Sequence, residues 1–194
     1  MKTDVIAVSS KNSRLKETLR QVDKVAAYKD LSPKGALHLR LLTEEMIGMV
    51  GSITGKVEGK FWIEDEDGVY QLHLQAKTDL DAEKRKQLIS ASSSGVNEAS
   101  RGLMGKLRSF FEPEDDFPVY YEPMFGPKDD IYGESAWSMR IYREQVERYM
   151  QQKKQGAAEA WDELEKSVVA HVADDVKVSI HGRTVEMVII KALA

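Results

Sequence analysis

An α+β two-layer sandwich, with helices on one face of a mixed, mostly antiparallel sheet, is the fold class that this sequence predicts. Three observations predict it. Hairpin signatures stand at "EDG" (66–68) and "HGR" (181–183), β-branched runs lie near both ends of the chain, and apolar residues recur at helical spacing between them. The chain has 194 residues, 42% hydrophobic and 31% charged, enough to bury one sizeable core. A single domain over 1–194 is expected, with an atypical insertion at about 82–159.

The elements follow in order. "DVIAVS" (4–9) is short and β-branched and reads as a strand. Leu15, Leu19, Val22 and Ala26 then mark one face of a helix. Ser32 and Pro33 form a helix start, the hydroxyl placed to cap and the proline at the first helical position, where its missing N–H is harmless. The stripe of that second helix runs Leu39, Leu42, Met46, Met49, Ile53. Glu45 falls on the stripe's border, and Glu44 turns farther toward water.

"KFWIED" and "VYQLHLQA" are strand-like runs separated by "EDG", and Asp67-Gly68 is a strong two-residue turn signal. In the second run Tyr70, Leu72, Leu74 and Ala76 alternate with Val69, Gln71, His73 and Gln75, so one face is predicted to be covered. Residues 80–111 read as helical, interrupted at "SASSSG" and resuming with Val96, Leu103, Leu107 and Phe110. Residues 112–133 hold four of the five prolines, seven acidic residues and five aromatics, a composition for a long loop or arm. Helices are predicted around 135–155 and 157–172, the latter with Trp161, Leu164, Val168 and Val172 on one face. The chain closes in a hairpin over 176–190. Val178, Ile180, Val185, Met187 and Ile189 are not expected to share one face, which predicts partial cover on both faces or a bulge near the turn. No internal repeat is visible.

Charge and composition exclude some functions. A net charge of −4 leaves no broad cationic surface for nucleic acid. The absence of cysteine excludes disulfides and thiolate ligands, and points to a reducing, cytoplasmic setting. No segment has the length and apolarity of a membrane span. His38, His73, His171 and His181 are too scattered in sequence for a zinc site. "SRGLMGKL" places Gly102 and Gly105 near a lysine, but Ser100 and Leu107 stand where a P-loop needs glycine and a hydroxyl. A solvated helix edge accounts for Glu45, and close helix packing accounts for Gly102 and Gly105.

The order of elements, together with "LLTEEMIGM" (41–49) and "DDVKVSIHGRTVEMVIIK" (174–191), resembles the histidine-kinase-like ATPase fold, and most of all its anti-sigma serine-kinase branch. The likeness covers roughly residues 1–80 and 160–194. It implies ATP with magnesium as cofactor, and Glu45 in the place of the glutamate that polarises the attacking water or hydroxyl. It further implies Asp79 or Asp81 as the adenine-reading acid, and Gly102 and Gly105 beside the phosphates. The chain departs from the family where an asparagine should hold magnesium, since Met49 stands there and a thioether is a poor ligand for a hard cation. It also lacks the glycines expected after Asp79.

A degenerate site of this kind predicts a non-catalytic or weakly nucleotide-binding regulatory or interaction protein, with a protein partner or a second copy as ligand. Two alternatives stay open. One is a genuine ATP-binding protein or serine kinase using Glu45, Asp79 and the 92–105 stretch. The other is an assembly protein that engages its partner through Phe117, Tyr120, Tyr121 and Phe125 of the acidic aromatic stretch.

Overall fold

In a computed structural model of the chain, residues 1–9, 12–54, 58–77, 136–154, 156–181 and 184–193 are described. They form β1 (Ile6–Ser9), α1 (Asn12–Tyr28), α2 (Pro33–Thr54), β2 (Glu58–Glu66) and β3 (Val69–Lys77). After these come β4 (Ala136–Ser138), α3 (Met139–Gln151), α4 (Ala157–Lys166), α5 (Val168–Val172), β5 (Asp175–His181) and β6 (Thr184–Ala192). The strands make one open sheet in the order β1-β2-β3-β6-β5-β4, antiparallel at every described pairing. Helices and sheet pack as the expected two-layer α/β arrangement.

Both predicted hairpins are present, the first with a two-residue turn and the second paired antiparallel out to His181 opposite Thr184. In the first, Asp67 and Gly68 both take positive φ, 50° and 83°. That is the turn whose twist matches paired strands. The Asp65 side chain accepts from the Gly68 N–H at 3.2 Å and closes it. Gly59 is needed for another reason: a Cβ there would stand 1.9 Å from the Gln75 carbonyl oxygen, so β2 and β3 approach too closely for any side chain.

The second hairpin corrects an expectation. Val178 pairs with Met187 and Val176 with Ile189, so even-numbered residues of β5 and odd-numbered residues of β6 share the face toward the helices. Every described pair of β5 with β6 joins an even to an odd residue number, so no bulge is required between them. Partial cover of the other face is nonetheless real, since Val188 and Ser179 are buried there.

One row of side chains crosses the whole sheet: Ile6, Phe61, Leu74, Met187, Val178, Trp137. Beside it runs Ile63, Leu72, Ile189, Val176. Onto these rows α2 lowers Leu39, Leu42, Met46 and Val50, all with no exposed surface. Burying each such side chain contributes about 1.5–3 kcal/mol, so α2 is the principal lid of the core. Its start is as predicted, with the Gly35 N–H donating to Ser32 Oγ at 3.2 Å. Against α2 pack α1 on one side and α5 on the other, while α3 lies on β5 and against α4.

Among the described residues, those up to 77 and those from 136 repeat one plan: a strand, then helices, then a hairpin. Within the hairpins the correspondence holds residue by residue. Phe61 and its partner Leu74 match Val176 and its partner Ile189, and Ile63 with Leu72 matches Val178 with Met187. The two three-stranded units meet at β3–β6. Architecture repeats here without a repeat of residues, which is why no repeat is visible in the sequence.

The helical predictions for the C-terminal half need two corrections. A three-residue edge strand, β4, precedes α3 where only helix is expected. Ser138 ends that strand and caps α3, and the buried Asp175 carboxylate accepts from Ser138 Oγ at 3.0 Å and from the Arg140 N–H at 3.0 Å. The single helix expected over 157–172 is broken at Ser167, which is extended and caps α5 through a 3.2 Å bond from the Ala170 N–H. The break rotates the stripe, so Val169 and Ala170 are buried while Val168 is exposed. β4 and α3, from within the stretch set apart by sequence, thus belong to the same sheet and helical layer.

A buried carboxylate joins the end of α1 to the first hairpin. Lys29 Nζ lies 2.5 Å from Asp65 Oδ2, and the Asp65 N–H donates to the Met1 carbonyl oxygen at 2.8 Å. The lysine beside it holds the Asp65 carboxyl below its usual range, against the opposing effect of burial. A lowered folded-state pKa means that the stabilisation is complete above the unfolded value, about 3.9 for aspartate, and is lost as pH falls below it. Asp65→Asn is therefore expected to lower the urea midpoint at pH 7, with the gap to the parent protein narrowing below about pH 4. A gap that stays constant down to pH 3 would contradict the assignment.

Candidate functional site

Strand alternation places a second set of side chains on the sheet face away from the helices. These are Lys60, Trp62 and Glu64 of β2, Gln71, His73 and Gln75 of β3, Glu186, Val188 and Ile190 of β6, and Lys177 and Ser179 of β5. In a one-sided sheet such residues are solvated. Here Trp62 is 8% exposed, His73 6% and Val188 5%, and neither Trp62 nor Val188 belongs to the main core. Both faces of the sheet centre are therefore buried.

The centre of this face is a row across strands: Trp62, His73, Val188, Lys177. The Trp62 and His73 rings stack with centroids 4.7 Å apart and planes 7° from parallel. Trp62 Nε1–H donates to Glu64 Oε1 at 2.9 Å. Lys2 Nζ lies 2.9 Å from the same carboxylate and 5.4 Å from the Trp62 ring centre, a cation–π distance. The Lys2 ammonium holds the Glu64 carboxyl below its usual range, aided by the Trp62 N–H and His73 and opposed by partial burial.

His73 stands between two carboxylates on neighbouring strands. Its Nε2 is 3.9 Å from Glu64 Oε2, and its Nδ1 is 3.6 Å from Glu186 Oε1. Glu186 also accepts from Gln75 Nε2 at 3.3 Å. Both contacts of the imidazole are too long for hydrogen bonds, and its two nitrogens are buried without a hydrogen-bond partner. Imidazole and carboxylate are the commonest acid–base groups. In this instance the ring is closed in between its cross-strand neighbours Trp62 and Val188, and the two carboxylates address opposite nitrogens. Among the described residues no group of three or more histidine, aspartate or glutamate side chains could hold a metal ion.

The residues singled out by sequence fall elsewhere. Glu45 is exposed on α2, in the helical layer, on the other side of the sheet from His73. Its neighbour Glu44 is also exposed and lies 3.6 Å from Arg40, which in turn makes a two-oxygen contact with Asp23 at 3.0 and 3.2 Å. Met49, in the place of the magnesium-binding asparagine, is packed in the core at 5% exposure. Asp79, Asp81, Gly102, Gly105, Phe117, Tyr120, Tyr121 and Phe125 lie outside the described residues. A cleft of about 280 Å³ opens between α1 and α2, lined by Asp23, Ala26, Ala27, Asp30, Leu31 and Ala36.

Sequence reasoning missed the Trp62–His73–Val188 row, although a signal for it exists. Phe61-Trp62-Ile63 and Met187-Val188-Ile189-Ile190 are unbroken apolar runs, the pattern of strands covered on both faces. In comparisons with protein-family models, curated proteins and solved structures, the chain matches none.

An unsatisfied buried imidazole costs stability, whereas a phenyl ring in its place keeps the stack and removes two unpaired nitrogens. His73→Phe is expected to raise stability by about 1 kcal/mol, and His73→Ala to lower it by about 2 kcal/mol. Denaturant unfolding of the two variants checks this. If the phenylalanine variant falls as far as the alanine variant, the nitrogens have partners.

Proposed function

We propose that the chain is a regulatory or interaction protein that carries out no nucleotide chemistry and binds nucleotide weakly at most. The orientation of α2 is the observation that carries this reading. In the histidine-kinase-like resemblance one face of this helix must present both a glutamate and a metal ligand to the nucleotide. In this chain Met49 is spent on the core, while Glu45 is exposed. Phosphoryl transfer depends on a metal bridging the phosphates, and a buried thioether supplies no oxygen to hold one. This reading carries over no catalysis from the anti-sigma serine kinases that the sequence resembles.

The partner in this reading is a protein with a basic surface, or a second copy of the chain. Support comes from the composition of residues 112–133, where seven acidic residues and five aromatics can supply long-range attraction and buried anchors. Four prolines in that stretch limit the conformational entropy lost on docking. The lack of cysteine fits a cytoplasmic setting. Among the described residues no helix is long and apolar enough to cross a membrane.

Three experiments test the proposal. ATP or ADP, with or without magnesium, is expected to leave the melting temperature unchanged, whereas a ligand at a hundred times its dissociation constant adds about 2.7 kcal/mol. Steady magnesium-dependent ATP hydrolysis that Glu45→Gln abolishes would overturn the non-catalytic reading. Separately, replacing residues 112–133 by a short Gly/Ser linker is expected to remove a salt-sensitive self-association or partner contact. Unchanged association accompanied by a large fall in melting temperature would make that stretch a structural strap.

A further inference from the structure

We draw no further inference here: the strongest candidate, the cleft between α1 and α2 lined by Asp23, Ala26, Ala27, Asp30, Leu31 and Ala36, has one of its two carboxylates already paired with Arg40 and nothing in the structure shows what would fill it.

Discussion

The pairing of β3 with β6 is the constraint on which the rest of the molecule depends. It runs without interruption from Val69 opposite Ala192 to Lys77 opposite Thr184, and it joins two hairpins that lie far apart in the chain. Each hairpin alone would be a marginal structure with one apolar face in water. Joined, they offer α2 a continuous apolar floor of Leu72, Leu74, Met187 and Ile189, all without exposed surface. The order of causes runs from register to floor to helix. Shifting β6 by one residue would turn Met187 and Ile189 away from α2 and place Glu186 and Val188 beneath it.

Because the sheet centre is buried on both sides, the two faces have different uses. The helical face is a conventional core in which α2 buries Leu39, Leu42, Met46 and Met49 of its apolar stripe. Met49, the residue that the histidine-kinase-like resemblance would set against magnesium, is part of that packing. The opposite face is chemically richer, with an imidazole held between an indole and an isopropyl group and bounded by two carboxylates. Its carboxylates are occupied, Glu64 by Lys2 and the Trp62 N–H and Glu186 by Gln75, while the two His73 nitrogens have no hydrogen-bond partner.

Much of the fold was legible in the sequence because its strongest devices are local. Asp67-Gly68 specifies a turn through its backbone preference, Ser32-Pro33 starts a helix, and period-2 alternation in "VYQLHLQA" identifies the covered face of β3. The features that were not legible depend on distant partners. Ser167 reads as an ordinary polar residue inside a helical pattern, and only the rotation needed to bury Val169 and Ala170 makes it a break. β4 is three residues long and exists as a strand because β5 lies beside it. The twofold plan is hidden because Phe61, Ile63, Leu72 and Leu74 correspond to Val176, Val178, Met187 and Ile189, which share apolar character but no identity. At the candidate site, His73 reads as one of four scattered histidines, and nothing nearby in sequence announces that Trp62 will stack on it. Glu45 was legible as a surface carboxylate and stands in the structure as one.

The absence of cysteine allows the central pairing to be tested by disulfide trapping on a clean background. Gln71 and Ile190 face each other across β3 and β6 on the sheet face away from the helices. Directly opposed residues of an antiparallel pair have Cα separations of about 4.5–5.5 Å, within the range that a disulfide spans. The double variant Gln71→Cys with Ile190→Cys is predicted to oxidise readily to an intramolecular disulfide in the folded protein. Gln71→Cys with Lys191→Cys, whose second position points to the opposite face, is predicted to stay reduced. Failure of the first pair to close, or equal closure of both, would contradict the β3–β6 register and the architecture built on it.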